Sequence, residues 1–327
     1  LVGGVLDKVF AEPETLSVQK LGVLYDAHPA LTTPDWATYT TLTIQSADGA
    51  PLFTGSASEY DSFLFPANGE YKAQMTVWRL PAGGLVTRFE GGSNGAVRKN
   101  SGLEHPAKPS GWYSFSFRFT LQASANVELS AERVEQGGIV GVAITGMVGE
   151  TAPTVETDLG SVQCTRSPSG WRAYIPAAYN ASAGAHDVTL TVNGEVLTKT
   201  LTVLPKDFGT AEVEAKPAPT EAANTEFRNS IWPLYEQPAQ EKLWSGGFVC
   251  PAEDYLVLLD FGQIKITNGQ QGSKSNSTKL YTIPGDPARA PANGTVAFAG
   301  NLALTGNTVV IDHGCGMRSY LYGLQTL

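Results

Sequence analysis

Apolar and polar residues alternate along the first third of the chain, most clearly in the stretches GEYKAQMTVWRL and WYSFSFRFTL. One face of each stretch carries large apolar side chains, namely Tyr71, Ala73, Met75 and Val77, and then Tyr113, Phe115, Phe117, Phe119 and Leu121. A period of two residues predicts half-buried β-strands. Asp48-Gly49 and Asn68-Gly69 supply turn residues between strands. We therefore expect a β-sandwich at residues 17–123, with an N-terminal extension at 1–16 and an exposed polar loop at 88–111.

A second alternating region follows at residues 124–205. The stretches VELSAERVEQGGIVGVAITG and HDVTLTVNGEVLTKTLTVLP each indicate a pair of strands, and the second pair turns at Asn193-Gly194. Val188, Leu190 and Val192 share one face before that turn. Several short strands with regular turns over some 80 residues are typical of an immunoglobulin-like sandwich.

The pattern changes again after residue 205. Residues 206–242 are rich in Pro, Ala, Glu and Thr, which predicts a linker, with a short helix around TEAANTEFRNSIW. At residues 243–327 the alternation returns. Val296 and Phe298 are predicted to share a strand face, as are Val309, Ile311 and His313, with Thr308, Val310 and Asp312 on the opposite face. Asn293-Gly294 is predicted to form a tight hairpin turn.

Composition agrees with an all-β protein and narrows the classes of function. The chain of 327 residues has 35 Gly and 20 Pro, and long helical patterns are scarce. Its net charge is −9, and Lys and Arg are not clustered, so nucleic acid is not an expected partner. No apolar run reaches the roughly 18 residues that a membrane span needs. The first residues lack the features of an intact signal peptide, so we expect the sequence to begin inside a mature or trimmed chain.

Residues 290–316, APANGTVAFAGNLALTGNTVVIDHGCG, together with FGQIKI and MRSYLYGL, resemble the LytM/lysostaphin-type (M23) metallopeptidase domain. The resemblance covers roughly residues 230–327 and is most specific in its second half. Matching positions there are Ala290, Gly294, Val296, Gly300, Gly306, Val309, Ile311, His313 and Gly314. It implies an antiparallel β-sheet domain preceded by immunoglobulin-like modules in an exported bacterial protein, from a Gram-positive organism. In such a peptidase, two His and one Asp hold zinc, which activates a water molecule.

The residues at the family's zinc positions are not zinc ligands. Counted back from Gly294, the aspartate ligand falls on Lys279 and the first histidine ligand on Ser275. The catalytic histidine of the later Tyr-x-His-Leu motif falls on Gly323, and the family's final His-x-His would lie beyond Leu327. A hydroxyl group and an ammonium group are poor partners for a divalent cation. We therefore expect no catalytic residue, no metal site and no cofactor, zinc included.

An independent search of the histidines agrees with that alignment. The chain has four histidines, and neither His-x-x-x-Asp, His-x-His nor His-Glu-x-x-His occurs. In the family, the histidine matching His313 is a structural neighbour of the zinc site. Cys250, His313 and Cys315 form a conceivable replacement metal site, although scattered residues on a glycine-rich loop are weak support. The disulfide state of Cys164, Cys250 and Cys315 is left open, because three separated cysteines fix no pairing.

Three hypotheses for function follow. The first is a non-catalytic M23-like domain in the cell envelope that binds peptidoglycan or regulates a cell-wall hydrolase. The second is an active zinc endopeptidase of the cell wall, with ligands supplied from outside this sequence. The third is a surface adhesion or scaffold protein that acts through its immunoglobulin-like domains.

Overall fold

The computed structural model describes residues 17–79, 86–88, 104–106, 111–238 and 240–327. The chain folds into two compact units. The first contains the chain up to Ala125 together with Gly146–Thr151, and the second contains Asn126–Thr145 and Ala152–Leu327. The predicted extension at 1–16 and most of the predicted loop at 88–111 lie outside the described residues.

One five-stranded sheet dominates the first unit. The elements of this unit are β1 Gln19–Leu24, β2 Tyr39–Ser46, β3 Pro51–Ser56, α1 Ala57–Tyr60, β4 Gly69–Arg79, β5 Val86–Arg88, β6 Glu104–Pro106 and β7 Gly111–Leu121. The strand order is β1-β7-β4-β2-β3, with β1 parallel to β7 and the other pairs antiparallel. Strands β5 and β6 form a separate two-stranded ladder. A β-sandwich was expected at residues 17–123. The described residues of this unit contain one large sheet together with the β5-β6 ladder.

The core of the first unit lies on the sheet face that the alternation predicts. Tyr71 and Phe119 pair across β4 and β7 and are buried together with Phe65. The loop between the later strands β10 and β11 completes this core, because Val148 packs into it and the Gly149 amide donates to the Phe65 carbonyl at 2.7 Å. A segment distant in sequence thus belongs to this unit.

The second unit begins with the immunoglobulin-like sandwich. Its strands are β8 Asn126–Leu129, β9 Arg133–Glu135, β10 Ile139–Thr145, β11 Thr154–Glu156, β12 Thr165–Ser167, β13 Gly170–Pro176, β14 Gly184–Val192 and β15 Glu195–Leu204. They form two four-stranded sheets of order β12-β13-β10-β8 and β11-β14-β15-β9. Alternate residues of β13 and β14 are buried, including Ile175 and Leu190. Asn193 and Gly194 have φ of 53° and 82°, as a tight hairpin turn requires.

The rest of the second unit is built from small sheets and one long helix. Its elements are β16 Thr210–Glu212, α2 Glu221–Tyr235, β17 Leu256–Leu259, β18 Ile264–Thr267, β19 Gln270–Lys274, β20 Lys279–Tyr281, β21 Thr295–Leu302, β22 Gly306–Gly314 and β23 Met317–Leu324. Three sheets result, with orders β16-β18-β19, β17-β20 and β21-β22-β23. The all-β fold class is confirmed. Neither helix within the described ranges has the length and apolar character needed to cross a bilayer.

Helix α2 is longer than predicted and packs against the β21-β22-β23 sheet. Thr220 caps its first turn, its hydroxyl accepting from the Ala223 amide at 3.2 Å. Ile231 is 0% exposed and packs with Leu302 and Val310 of the sheet. The helix therefore covers a sheet face, even though the residues before it have the composition of a linker.

Two predicted details of the β21-β22 region are wrong. A bulge between Val296 and Phe298 places them on opposite faces, so that Phe298 packs under α2 while Val296 is 60% exposed. Asn293-Gly294 is not a hairpin turn, because the chain turns between Leu302 and Gly306. Gly294 is required for a different reason: a Cβ there would lie 2.5 Å from the Asp312 carbonyl oxygen.

The sandwich and the C-terminal sheets are joined by aromatic packing within the second unit. Phe261 packs edge-on against Tyr179 and Phe208 at centroid distances of 5.3 and 6.0 Å. The Lys274 ammonium donates to the Tyr179 carbonyl at 3.2 Å. Gly137 passes so close that a Cβ there would lie 2.9 Å from the Phe261 ring. Both parts of this unit therefore share one interface.

Candidate functional site

Ser275, at the family's first histidine position, is buried and points its hydroxyl at the backbone. It is 2% exposed and directly follows β19. Its Oγ donates to the Ser277 carbonyl at 2.7 Å, and its backbone bonds to Gly262 and Gln263. The hydroxyl proton is thus used in closing a local turn.

Lys279 and Gly323, at the other two family positions, supply no oxygen, imidazole or thiolate ligand. Lys279 begins β20, is exposed and pairs with Leu259 in the β17-β20 ladder. Gly323 lies in β23 with φ of 67°, where its amide donates to the Thr305 carbonyl at 2.9 Å. An ammonium group repels a dication, and glycine has no side chain. The residues present therefore do not fit zinc.

His313 is one of five residues that we call the scaffold residues, all at positions that match the M23 motif. They are Gly294, Gly300, Gly306, His313 and Gly314. His313 is 0% exposed at the end of β22, and its ring packs edge-on against Phe248 at a centroid distance of 4.8 Å. Nδ1 lies 2.8 Å from the Asn293 carbonyl oxygen and Nε2 lies 2.8 Å from the Ser319 hydroxyl. Both ring nitrogens therefore have partners within the protein.

The glycines at the family-matching positions lie at close contacts, and Gly294 and Gly314 lie next to this histidine. A Cβ at Gly294 would lie 2.9 Å from His313 Nδ1, and a Cβ at Gly314 would lie 1.9 Å from the Glu241 carbonyl oxygen. Gly306 has φ of 67° at the start of β22 and faces Gly323 across the sheet, while Gly300 lies against the Phe298 ring. The structure thus brings Gly294, His313 and Gly314 together, whereas Ser275 follows β19 and Lys279 lies in β20.

Within the described ranges, no group of three or more His, Cys, Asp or Glu residues is placed to hold a metal ion. The Cys250, His313 and Cys315 set is divided, because Cys250 is exposed while Cys315 is buried with its sulfur 2.9 Å from the Thr165 hydroxyl. All three cysteines are free. Burial raises the pKa of Cys164 to about 11, so its thiol stays protonated at neutral pH.

A buried ion pair that the sequence patterns did not indicate lies next to His313. Asp312 Oδ1 accepts from the Gly314 amide at 2.8 Å, and its Oδ2 lies 3.3 Å from Arg318 Nη2 on the neighbouring strand. The two side chains are 9% and 6% exposed. Nε and Nη2 of Arg318 nevertheless have no hydrogen-bond partner among the described residues.

Arg318 also lines a cavity between the sandwich and the β21-β22-β23 sheet. The cavity has a volume of about 230 Å³, and Arg318 is the one charged side chain among its described lining residues. Tyr174, Ser161 and Gln163 line it from the sandwich, and Tyr235 does so from α2. These residues are far apart in sequence, which is why only the fold could reveal the cavity.

Tyrosines surround the same end of the sheet. Burial, together with the neighbouring Tyr235 hydroxyl, raises the pKa of Tyr320. Burial likewise raises the pKa of Tyr322 to about 12. Both phenols stay neutral at physiological pH, so neither adds negative charge near Arg318.

The β17-β20 ladder carries an exposed apolar surface, which we call the ladder surface. Its residues are Leu256, Val257, Leu258, Tyr281 and Ile283, which are 66%, 50%, 61%, 55% and 62% exposed. Clustered apolar side chains of this kind commonly mark interaction surfaces. No sequence pattern identified this cluster, because a strand with both faces exposed looks the same in sequence as a buried one.

Comparison with solved structures gives distant likenesses, of which three are described. A candidate M23 peptidase from Pseudomonas aeruginosa shares 15% identity at a TM-score of 0.33, covering 58% of this chain and 73% of its own. An I9–I11 tandem from titin shares 12% identity at a TM-score of 0.23, covering 43% and 62%. SGBP-B from a Bacteroides ovatus glucan utilization locus, solved with a mixed-linkage heptasaccharide, shares 12% at a TM-score of 0.20, covering 99% and 70%.

No family model and no curated protein sequence matches the chain. The TM-scores of these three structures lie between 0.20 and 0.33, so they carry no argument about function. The chain is thus an all-β protein with immunoglobulin-like and M23-like structural neighbours.

Proposed function

We propose that this chain is an exported cell-envelope protein of a Gram-positive bacterium whose M23-like domain binds rather than cuts. Its partner is peptidoglycan or a cell-wall hydrolase that it regulates. The observation that carries the proposal is the chemistry at the three positions where the resemblance places catalytic machinery. The Ser275 hydroxyl donates a hydrogen bond to a backbone carbonyl, Lys279 is a cation, and Gly323 has no side chain.

The ladder surface supports a binding role. It exposes apolar area on a two-stranded ladder whose outward side chains include Leu256 and Leu258. Burying such side chains against a partner is favourable by about 25 cal/mol for each Å² removed from water. A chain that retains the scaffold glycines around His313 and exposes this surface has features of a docking module.

A sedimentation assay with purified peptidoglycan sacculi tests the proposal on the full chain. We expect the protein to sediment with sacculi and to release no soluble wall fragments. The double variant Leu256→Asp with Leu258→Asp should lose most of that binding. Val196→Asp is the matched control, because Val196 is similarly exposed, at 67%, on the sandwich hairpin.

The sedimentation assay, together with metal analysis of the purified protein, also distinguishes the proposal from the other two hypotheses. Stoichiometric zinc in the purified protein, together with release of wall fragments, would establish the endopeptidase and reject this proposal. Loss of binding in Val196→Asp with retention in the ladder variant would instead favour adhesion through the immunoglobulin-like sandwich. If sacculi are not bound, the same two variants are compared for binding to purified cell-wall hydrolases, and absence of binding there as well rejects the docking role.

A further inference from the structure

Arg318, which lines the cavity between the sandwich and the β21-β22-β23 sheet, has cationic hydrogen-bond donors that the described residues do not satisfy. Arg318 is 6% exposed at its side chain, and both Nε and Nη2 are buried without a hydrogen-bond partner. Buried donors on a charged group are costly to leave unpaired. An acceptor from outside the described chain is therefore expected at this guanidinium.

Asp312 balances the charge of Arg318 but leaves its Nε and Nη2 donors without a hydrogen bond. Oδ2 lies 3.3 Å from Nη2, close enough for electrostatic attraction, yet no hydrogen bond forms from Nη2 or Nε. Oδ1 is held by the Gly314 amide at 2.8 Å, which fixes the carboxylate in place. The guanidinium is thus stabilised in the fold, and hydrogen-bonding capacity remains for a second anion.

We propose that this cavity binds a carboxylate, with the Arg318 guanidinium as its anchor. An arginine presents pairs of N–H groups in a planar fork that matches the two oxygens of a carboxylate. The hydroxyls of Ser161 and Tyr235 line the same cavity and provide further polar contacts. Because Nε and Nη2 are buried in this structure, binding requires the side chains that cover them to move. Met317 lines the same cavity, and its thioether side chain has several rotatable bonds.

Charge and size select a small monoanion. Arg318 is the one cation among the described lining residues, and Asp312 already offsets part of its charge. A phosphate dianion would therefore lack a counter-charge. The volume of about 230 Å³ lies below the roughly 300–1,000 Å³ of drug-sized pockets. A free short-chain acid and the carboxyl terminus of a peptide share the chemistry that fits.

The cavity is lined by residues of both the sandwich and the β21-β22-β23 sheet, so the site requires both. Tyr174, Pro176 and Ile139 of the sandwich form one side, and Met317 of β23 forms the other. Neither the sandwich nor the sheet encloses the site alone. This proposal does not rest on wall binding, since it uses neither the ladder surface nor the family's zinc positions.

Titration followed by amide NMR tests the proposal on the full chain. The probes are acetate, N-acetylalanine and N-acetylalaninamide, with inorganic phosphate as an anion control. We expect both carboxylates to shift the Arg318 Nε–H and Gly316 amide signals, and the amide and phosphate to leave them unchanged. Tighter binding of N-acetylalanine than of acetate would assign a peptide terminus, and the reverse order a free acid.

Two variants and one control complete the experiment. Arg318→Lys keeps the charge and loses the fork, so it should weaken binding at least about tenfold. Ser161→Phe alters an exposed wall residue and narrows the cavity without touching Arg318, and should weaken binding similarly even if Arg318→Lys does not fold. Arg289→Lys changes an exposed arginine paired with Glu253 and should have no effect. No shift with either carboxylate, equal shifts with N-acetylalaninamide or phosphate, or undiminished binding in Ser161→Phe would overturn the proposal.

Discussion

Two buried histidines show how local partners, rather than sequence motifs, set the chemistry of a residue. His313 Nδ1 lies against a carbonyl and its Nε2 against a hydroxyl. His186 instead has Nδ1 2.8 Å from Asp158 Oδ1 and Nε2 2.8 Å from the Ser182 carbonyl oxygen. The absence of a His-x-x-x-Asp motif was readable in the sequence. The partners were not, because Asp158 and Asn293 reach their histidines only through the fold.

His186 makes stability depend on pH. The Ser182 carbonyl and then the Asp158 carboxylate raise its pKa above 6.5. The folded state thus holds the proton more tightly than the unfolded chain, and this contribution is complete below about pH 6.5 and lost as pH rises through the folded pKa. Asp158→Asn should lower the His186 midpoint in NMR titration and reduce the loss of stability as the pH rises above about 6.5. Asp187→Asn, on the same strand, should change neither.

Gly294 provides a second residue-scale prediction. A Cβ there would meet the Asp312 carbonyl at 2.5 Å and His313 Nδ1 at 2.9 Å. Gly294→Ala should therefore destabilise the second unit by about 1–3 kcal/mol through overpacking, as measured by urea denaturation. Gly247→Ala is the control, because nothing lies within 4 Å of a Cβ there, and it should change stability by less than about 1 kcal/mol. Equal effects of the two substitutions would contradict the close-approach explanation.

Strands were the most predictable elements and their irregularities the least. Period-two alternation identified β4, β7 and β14, because their faces differ sharply in burial. The bulge at Val296 left no mark in the sequence, since it depends on how β21 pairs with β22. A short helix was predicted around TEAANTEFRNSIW within a segment of linker composition, whereas the packing of α2 against Leu302 and Val310 required the sheet.

The packing of α2 gives a prediction at the scale of the element. Ile231 is 0% exposed against the sheet, and its neighbour Trp232 is 54% exposed. Ile231→Ala should lower the free energy of unfolding of the second unit by about 2–5 kcal/mol, because it leaves a cavity. Trp232→Ala on the same helix should cost about 0.5 kcal/mol or less. The free energy of unfolding is measured by thermal and urea denaturation. A large loss of stability in both variants would show that the helix contributes through its own stability rather than through Ile231.

The two compact units divide the chain differently from its sequence composition. Alternation of apolar and polar residues indicated segments at 17–123, 124–205 and 243–327, and composition indicated a linker at 206–242. The fold instead places the sandwich and the C-terminal sheets in one unit, joined by Phe261, Phe208 and Tyr179. Aromatic residues in short, irregular segments give no periodic signal, so this interface could not be predicted from alternation.

That interface should couple the stability of its two sides. Each aromatic pair made by Phe261 contributes about 0.5–1.5 kcal/mol beyond its buried area. Phe261→Ala should therefore speed amide hydrogen exchange both in β14 of the sandwich and in β18 of the C-terminal part. Tyr25→Ala, at a residue 69% exposed in the first unit, should alter neither. Faster exchange confined to residues 256–281 would indicate that the two sides are energetically independent.

The placement of Val148 and Gly149 has a consequence for synthesis on the ribosome. These residues complete the core of the N-terminal sheet, yet they are translated only after β8, β9 and β10 of the following sandwich. Domains generally fold as units while the chain is being made. The core of the N-terminal sheet therefore cannot be completed until β8, β9 and β10 of the sandwich have been synthesised. We expect the folding of the two parts to overlap in time rather than to occur one after the other.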